Sequence, residues 1–376
     1  MASKITKGSI HYLCLQAPQA GQASYAHVLE IIKGLERCNW KVRLFEPSYT
    51  SSRKLPGAFG RLMGFLRAQW QLLHSPRPDI LYIRAHFAAW PSALWARLIG
   101  LPTVQEVNGP YEDLFIAWPW TQKMAKLFVW LMRSQLRWAS VVIAVTPQLA
   151  EWVRKEAGHD RVFVVTNGAN TNLFNPNAKV NTELPYPYVV FFGALAPWQG
   201  IRTLLEAVKT KYWPSDVRLV IMGDGAERPH VEKAASYGQV VYLGPVAYHE
   251  LPGIVAHSLA GLSPQNALAG RSKKGLLPIK VFETLACGVP VIVTDWPGQA
   301  DLVRENQCGL VVPPDDPKAV AEAVAYLYYH PEERVMMGEK GRKLVELEYS
   351  WDRCAQKTSE ILAMLVCKAP TGKGRE

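Results

Sequence analysis

The sequence is short of charge, of cysteine and of metal-binding patterns. Only 20% of its residues are charged and 49% are hydrophobic, which excludes an intrinsically disordered chain. A D-x-D motif is absent, and no His/Asp cluster has ligand spacing, so we expect no metal and no cofactor. There is no C-x-x-C pair among the six cysteines, which we expect to be reduced, mostly buried thiols of a cytosolic protein: Cys14, Cys38, Cys287, Cys308, Cys354 and Cys367.

Long unbroken apolar runs are absent as well. Two stretches without charge, Leu184–Ile201 and Leu251–Gly270, are interrupted by prolines, so neither is expected to span a bilayer. The first residues lack the apolar core and cleavage site of a signal peptide. We therefore expect a cytoplasmic protein, and peripheral contact with the inner face of the membrane stays open.

The net charge of +10, from 42 basic and 32 acidic residues, predicts an anionic partner: a nucleic acid, a membrane surface or a phosphorylated substrate. Helix-turn-helix, zinc-finger and aromatic-sheet signatures are absent, so nucleic acid is not the expected partner.

Short apolar runs alternate with helix-period segments along the 376 residues, which predicts two parallel α/β domains. A proline-containing stretch without periodicity separates them. We expect a domain over 1–175, a linker over 176–187, a second domain over 188–347 and a final helix over 348–367. Predicted strands lie near 8–14, 41–45, 79–83, 103–107, 140–145 and 161–165, then 188–192, 217–222, 240–243, 259–263, 289–293 and 309–312. Predicted helices lie near 24–38, 59–74, 89–100, 121–138 and 147–157, then 200–212, 228–237, 248–257, 279–287, 316–329, 332–347 and 351–366.

The segment FFGALAPWQGI is a candidate phosphate site. A strand ends at Gly193, and a helix begins near Gly200. A helix start presents free N–H groups that suit a diphosphate, and a glycine lets a ligand approach the backbone. An ordinary strand-to-helix turn is an equal alternative. Around Gly223 the segment IMGDGAE is, taken alone, typical of a tight turn.

The segment KKGLLPIKVFETLACGVPVIVTD places Pro278 in the first turn of a helix that ends at Gly288. Lys280 and Glu283 are then three residues apart on one face. A carboxylate and an ammonium at the end of a sheet suit ribose hydroxyls and a phosphate. A surface ion pair, which contributes at most about 1 kcal/mol, is the alternative.

In their order along the chain, these segments resemble the retaining glycosyltransferases of the GT-B architecture, of the group 1 and family 4 type. The phrases that carry the resemblance are FFGALAPWQGIRTLLEA, IMGDGAERPHVE, YLGPVAYHELP, PIKVFETLACGVPVIVTD and GLVVPPDDPKAVAEAV, with VIAVTPQLAEWV and RVFVVTNGANTNLFNP before them. The resemblance implies two Rossmann-like, doubly wound domains that face each other across a cleft. It also implies a final helix that crosses back to the first domain.

The resemblance further implies how a nucleoside-diphosphate sugar is bound. Glu283 would hold the ribose, Gly193 and Gly200 would flank the diphosphate, and Val246 would contact the base. Gly21 would lie near the sugar phosphate. The full set of expected donor-binding residues is Gly21, Gln22, Gly193, Ala194, Gln199, Gly200, Gly223, Val246, Lys273, Lys274, Gly275, Leu276, Leu277, Ile279, Lys280 and Glu283.

The sequence departs from the family pattern at several positions. The usual arginine and lysine that neutralise the diphosphate are replaced by Ala194 and Gln199, and Gly275 replaces the first of two paired glutamates. The usual histidine near the transferred sugar is Asn108. We expect the loop around Lys273 and Lys274, together with Lys280, to supply the missing positive charge; a solvated basic loop is an equal alternative.

For the reaction, the resemblance implies sugar transfer with retention, without a metal or a protein nucleophile. Glu106 and Asn108 follow a strand of the first domain and are candidate contacts to the sugar or acceptor. They are equally interpreted as polar residues that satisfy a strand end. The catalytic candidates are therefore Glu106, Asn108 and Glu283.

The acceptor is expected to be a glycolipid, a lipid-linked sugar or a polysaccharide precursor. The segment before Arg77 places Phe59, Leu62, Met63, Leu66, Trp70 and Leu73 near one helical face, with basic residues nearby. Such a helix usually packs on a sheet, and membrane contact is the alternative. A non-catalytic subunit and a sugar-nucleotide epimerase of the same architecture are alternative functions.

Overall fold

The computed structural model describes residues 6–16, 23–49, 56–180, 183–267 and 271–366, without the side chains of 23–25. The chain divides into two compact units. Counting only the described residues, the first contains those within 6–16, 24–166 and 354–366, and the second contains residue 23 and those within 167–353. Of the expected site residues, Gly21 and Gln22 lie outside the described residues.

The first unit is a parallel sheet with helices between its strands. Its strand order is β2-β1-β3-β4-β5-β6. Alternating apolar runs and helices favour this arrangement because parallel strands need crossover connections. The elements are β1 (Gly8–Cys14), α1 (Ala23–Arg37), β2 (Trp40–Phe45), α2 (Ala58–Leu73), β3 (Ile80–Arg84), α3 (Trp90–Leu98), β4 (Thr103–Val107), α4 (Glu112–Ala117), α5 (Ala125–Trp138), β5 (Val141–Ala144), α6 (Pro147–Ala157) and β6 (Val162–Val164).

The second unit repeats the design with the order β12-β11-β10-β7-β8-β9. Its four central strands are almost fully buried, as in β7, which is Tyr188–Phe192, whereas the two edge strands are mostly half-buried. The remaining elements are α7 (Ile201–Ala207), β8 (Arg218–Met222), α8 (Arg228–Ala235), β9 (Val240–Gly244), α9 (Leu251–Ala256), β10 (Gly261–Ser263), α10 (Ile279–Ala286), β11 (Val291–Thr294), α11 (Gln299–Asn306), β12 (Gly309–Val312), α12 (Pro317–Tyr329) and α13 (Pro331–Glu348). The prediction of two doubly wound α/β domains is confirmed.

A last helix, α14 (Trp351–Val366), follows. It starts in the second unit, where the Trp351 amide donates to the Ala169 carbonyl at 3.0 Å. Its later residues belong to the first unit. There Ser359 accepts hydrogen bonds from the Trp40 indole at 2.8 Å and from the Lys7 ammonium at 3.1 Å. The helix is therefore held to the first unit by side-chain contacts with Trp40 of β2 and with Lys7, which precedes β1.

Each sheet has one place where the chain reverses its direction of winding. In the first sheet this point lies between β1 and β3, and in the second it lies between β7 and β10. The crevice at the carboxyl ends of the strands at such a point is the usual ligand site of doubly wound sheets. These two strand ends are where functional residues are to be sought.

Several local predictions were wrong. The helix predicted over 200–212 ends at Ala207, because the last turn tightens and the Thr210 hydroxyl donates to the Ala207 carbonyl at 2.8 Å. The short helices α4 and α11 were not predicted. Pro278 is the residue before α10 and has extended backbone, so it precedes the first turn instead of forming it.

The cysteine prediction is confirmed for most of the described thiols. Cys14, Cys287, Cys308 and Cys354 are free and buried, whereas Cys38 is partly exposed. Burial raises the pKa of the Cys354 thiol to about 12, so this thiol is protonated and unreactive at neutral pH.

Candidate functional site

The first candidate site lies at the carboxyl ends of β7 and β10. Gly193 follows β7 directly, has a φ of 122° and is exposed. A side chain at Gly200, whose φ is 73°, would approach the Pro264 carbonyl oxygen to 1.6 Å. Glycine is therefore required at 200 because the loop after β7 packs on the residues that follow β10.

The Lys280 side chain places a buried ammonium at the carboxyl ends of β7 and β10. It is 9% exposed, and its Nζ would lie 3.5 Å from a Cβ built on Gly193. The ammonium donates to Gln199 Oε1 at 3.0 Å and lies 3.7 Å from the Phe191 ring centroid. Burial lowers the pKa of Lys280 to about 7, although the Glu283 carboxylate opposes that shift. The structure thus brings Gly193, Gln199 and Lys280 together beside exposed backbone.

Gln199 is held by a second amide. Gln265, which follows β10 and is 3% exposed, donates from Nε2 to the same Gln199 oxygen at 3.0 Å. The Gln265 carbonyl accepts from the Thr294 hydroxyl and the Trp296 indole, both at 3.0 Å. Gln199 therefore takes the position of the family's lysine and orients the Lys280 ammonium instead of supplying charge itself.

Glu283 is also buried, with 3% of its surface exposed. Its Oε1 accepts a hydrogen bond from the Tyr248 hydroxyl at 2.9 Å. Burial raises the pKa of Glu283 to about 7, and the Tyr248 hydrogen bond and the Lys280 charge oppose the rise. The surface ion pair considered for Lys280 and Glu283 is therefore wrong, because both groups are buried and each has its own hydrogen-bond partner.

Val246 is brought toward Glu283 by its loop. It follows β9, is half-buried, and lies two residues before Tyr248, which contacts Glu283. Tyr248 was not predicted as a site residue. The only signal for it was its place in the phrase YLGPVAYHELP, two residues after the predicted base contact.

The loop before α10 begins with basic residues at the surface and ends with buried apolar residues. Lys273 is exposed and Lys274 half-buried, in a turn of 3₁₀ helix. Gly275 has a φ of 85°. The next side chains, Leu276, Leu277 and Ile279, are buried at 8%, 9% and 7% exposure, so their side chains pack in the core.

Backbone groups of this loop are partly committed. The Leu276 amide donates to the Pro297 carbonyl at 2.8 Å, and the Leu277 carbonyl accepts from Asn167 at 3.0 Å. Ala194, like Gly193, is exposed in the loop after β7. A side chain at Gly223 would reach 1.8 Å from the Gly193 carbonyl oxygen, so this glycine joins the loops after β7 and β8.

A second polar cluster lies in the first unit, on β4 next to the winding reversal. Glu106, 2% exposed, accepts hydrogen bonds at one oxygen from Tyr12 at 3.1 Å and Tyr82 at 2.8 Å. Its other oxygen accepts from Arg84 and Asn108, both at 2.6 Å, and contacts His27 Nε2 at 2.9 Å. Five donors therefore surround one carboxylate. We call these six residues the Glu106 cluster.

Electrostatics within the Glu106 cluster favour the ionised carboxylate. Burial by itself raises the pKa of Glu106, but the charges of His27 and Arg84 and the hydrogen bonds from His27 and Asn108 hold it far below its usual value. Asn108 itself is half-buried. This geometry favours the interpretation that Glu106 satisfies and fixes its neighbours at the strand end.

The residues His27, Tyr12, Tyr82 and Arg84 were missed because they come from three elements that are distant in sequence. Tyr12, Tyr82 and Arg84 share one signal, since buried strands of a parallel sheet normally carry apolar residues and β1 and β3 carry these polar ones. His27 lies on α1 and has no such signal.

The comparisons with known proteins place both units in one family. The sequence model described as Glycosyltransferase Family 4 matches residues 26–173, and the model described as Glycosyl transferases group 1 matches residues 186–330. The chain is 33% identical over 210 residues to a GDP-mannose-dependent α-(1-6)-phosphatidylinositol monomannoside mannosyltransferase of Mycobacterium tuberculosis, over 52% of this chain and 54% of the relative. It is 30% identical over 253 residues to a D-inositol 3-phosphate glycosyltransferase of Corynebacterium urealyticum, over 60% of this chain and 57% of the relative. The matched part thus spans little more than half the length of these curated relatives.

Solved structures confirm the fold. Sucrose-phosphate synthase of Thermosynechococcus elongatus superposes with a TM-score of 0.79 at 17% identity, covering 96% of this chain and 100% of that one. HepE of Anabaena, solved in complex with UDP, superposes with a TM-score of 0.68 at 17% identity, covering 95% and 100%. Across the described residues, no helix is both long and apolar enough to cross a bilayer. With family models matched in both units, the chain belongs to the group 1 and family 4 glycosyltransferases.

Proposed function

We propose that the protein is a retaining glycosyltransferase that moves a sugar from a nucleoside-diphosphate sugar to a hydroxyl acceptor. The observation that carries this proposal is the pair of buried ionisable groups, Lys280 and Glu283, on α10 at the winding reversal of the second sheet. Both are held by neutral partners, Gln199 and Tyr248. Buried ionisable groups with shifted pKa values at such a place are typical of ligand sites.

The Lys280 ammonium is the proposed contact for the donor diphosphate. It lies beneath exposed Gly193 and takes over the charge that Ala194 and Gln199 do not supply. A diphosphate beside Lys280 would favour its charged form, since an opposite charge offsets the cost of burial. The ammonium would then stabilise the negative charge that develops on the leaving diphosphate.

The Glu283 carboxylate is the proposed contact for the ribose hydroxyls. Among the described residues, the Tyr248 hydroxyl is the side-chain donor to this carboxylate, and it occupies one oxygen. A carboxylate accepts at two oxygens, which leaves capacity for a hydroxyl pair. Val246 on the same loop as Tyr248 is the proposed contact for the base.

For the acceptor, we propose a glycolipid, a lipid-linked sugar or a polysaccharide precursor. Support comes from the curated relatives, which are named for transfer involving phosphatidylinositol monomannoside and inositol 3-phosphate. A GDP- or UDP-linked sugar is the proposed donor class, because the names of one relative and one solved neighbour contain GDP-mannose and UDP. Independence of a metal is part of the proposal and predicts unchanged turnover in the presence of a chelator.

Thermal-shift and calorimetric titrations with UDP, GDP, ADP and TDP, followed by their sugars, test the donor site. One nucleotide should stabilise the protein and bind, because a ligand that binds only the folded state raises its stability. NMR of the product anomer then tests retention. No response to any nucleotide would contradict the proposal and favour a non-catalytic subunit.

Matched variants locate the binding. Lys280→Met should lose nucleoside-diphosphate affinity while keeping nucleoside affinity, since only the phosphate contact is removed. Glu283→Gln should weaken the binding of the nucleoside itself, since the ribose contact is changed. Equal loss of both ligands in both variants would place the donor elsewhere.

A further inference from the structure

The side-chain amide of Gln199 is held in one orientation. Its Oε1 accepts two hydrogen bonds, from the Lys280 ammonium and from Gln265 Nε2, both at 3.0 Å. An ammonium has donors and no acceptor, so the amide atom that faces Lys280 must be the oxygen. The amide nitrogen of Gln199 is therefore directed away from that ammonium.

Gln199 Nε2 keeps its donors for a ligand. The nitrogen of a glutamine amide carries two N–H donors, and among the described residues Gln199 Nε2 has no hydrogen-bond partner, whereas the oxygen has two. Gln199 is half-buried, while its partners Lys280 and Gln265 are 9% and 3% exposed. A phosphate beside exposed Gly193 thus meets a neutral N–H, and the positive charge of Lys280 lies beneath it.

Few positive charges accompany this amide in the sequence. Residues 184–201 include no Lys or Arg. Arg202, the next basic residue, donates from Nε and Nη2 to the Glu227 carboxylate at 2.8 Å and 3.3 Å. Because Glu227 is buried at 4% exposure, it compensates the charge of Arg202 within the fold. The cation bonded to Gln199 is Lys280.

The proposed donor and the product that it leaves behind differ in charge. In a nucleoside-diphosphate sugar each phosphate carries one negative charge, because the terminal phosphate is esterified by the sugar. In the free nucleoside diphosphate that phosphate has a second ionisable oxygen with a pKa of about 6, which adds about one negative charge at neutral pH. Every cation at the site therefore stabilises the bound product more than the bound donor.

We propose that Gln199 is a specificity-determining residue: it donates a neutral hydrogen bond to the diphosphate, and so limits the preference of the site for the free nucleoside diphosphate over the intact nucleotide sugar. A lysine, which is usual at this position in the family, would add a charge that favours the product. The inference rests on the proposed function, since it concerns discrimination at the same donor site.

The consequence of a neutral amide is easier release of the product. The nucleoside diphosphate must leave before the next donor binds, and product release limits turnover in many enzymes. Lys280 supplies one charge, which the donor and the product both use, whereas Gln199 supplies a hydrogen bond that is nearly the same for either ligand. The departure from the family pattern at position 199 is thus a change of selectivity, and the binding site is kept.

Calorimetric titration of the full chain with UDP, UDP-glucose, GDP and GDP-mannose tests the proposal. The measured quantity is the dissociation constant of the nucleotide sugar divided by that of its free diphosphate. Gln199→Lys should raise this ratio about fivefold to tenfold, because the added ammonium attracts the more highly charged ligand more strongly. Gln199→Glu keeps an acceptor oxygen for Lys280 and Gln265, and it should lower the ratio because the added carboxylate repels the product more than the donor.

Gln356→Lys is the matched control, since it adds the same charge at an exposed position of α14 in the first unit; its ratio should equal that of the wild type. If Gln199 only orients Lys280, both variants at position 199 should weaken the two ligands by equal factors. An unchanged ratio in both variants overturns this inference and leaves the proposed function standing. If the wild type binds none of the four nucleotides, the proposed function and this inference both fail.

Discussion

The two winding reversals of this protein hold buried carboxylates in opposite states. In the first sheet, Glu106 is surrounded by five donors, and its pKa lies far below the usual value. In the second, Glu283 has one tyrosine donor and a pKa raised to about 7. The two carboxylates have similar burial, at 2% and 3% exposure, so burial does not explain the difference.

Their partners explain it. The Glu106 carboxylate has a buried guanidinium at 2.6 Å, and its lone pairs are occupied. Glu283 and Lys280 each bond to a neutral group, and burial shifts both pKa values toward the uncharged form. A fully hydrogen-bonded network such as that of Glu106 stabilises the fold. Buried ionisable groups whose charge has no close opposite charge, such as Glu283 and Lys280, gain such a partner from a ligand.

The largest expected effect comes from breaking the Glu106 cluster. Glu106→Ala leaves Arg84 without its carboxylate and Tyr12 and Tyr82 without an acceptor. Removing one partner of a buried ion pair costs about 3–5 kcal/mol, so urea unfolding should show the first unit strongly destabilised. Glu283→Gln is the comparison, and at neutral pH it should unfold at nearly the wild-type urea concentration. Equal destabilisation by the two changes would contradict the contrast.

The next effect concerns ligand affinity. Lys280→Met removes the ammonium beside Gly193, and a charged hydrogen bond contributes about 1.5–3 kcal/mol. The dissociation constant of the nucleoside diphosphate should therefore rise about tenfold to hundredfold, measured by calorimetry. Stability should not fall, because methionine replaces a charge that burial disfavours. A large loss of stability with unchanged affinity would make Lys280 structural.

The pH dependence sharpens the same comparison. The pKa of Glu283 is raised from 4.5 to about 7, so between those values the folded state binds more protons and stability falls as pH rises. The pKa of Lys280 is lowered from 10.5 to about 7, so above about 7 the unfolded state binds more protons and stability rises. The pair thus predicts a stability minimum near neutral pH.

Urea unfolding without ligand at about pH 5, about pH 7 and about pH 9 measures this minimum, with an expected depth of about 1–2 kcal/mol. The double variant Lys280→Met/Glu283→Gln has neither titrating group and should lose it. A minimum of the same depth in the double variant would assign the pH dependence to other groups.

Most of the fold was predictable because its signals are local. The twelve strands of the described residues all have apolar runs, and the C-terminal end of α10 was located because Gly288 takes a φ of 71° there. The orientation of α2 was not predictable. The core packing that the sequence favours for its apolar face is wrong, because Phe59 is 76% exposed and Trp70 is 64% exposed. Periodicity identifies an apolar face but does not show that the opposite face, with Gly64 and Ala68, packs more closely on the sheet.

The site was predictable only where one segment carries it. Lys280 and Glu283 share a helix, so their spacing alone suggested a paired role. Gln265 and Tyr248 come from other strands and lie near them only after folding. The Glu106 cluster has the same limit, since its six residues come from β1, α1, β3 and β4, and the loop after it.

The smallest expected effect comes from the basic loop before α10. From the sequence, we expect either that Lys273 and Lys274 supply the missing positive charge together with Lys280 or that they form a solvated basic loop. Lys273 is exposed, so its charge is screened by water and salt. Lys273→Ala/Lys274→Ala should therefore raise the dissociation constant of the nucleoside diphosphate only about twofold to fivefold at low salt, and less at high salt. Calorimetry measures this dissociation constant for the double variant and for Lys280→Met, and the two values are compared. A loss as large as that of Lys280→Met, and insensitive to salt, would show that the loop closes on the diphosphate and that the buried ammonium is not its main cation.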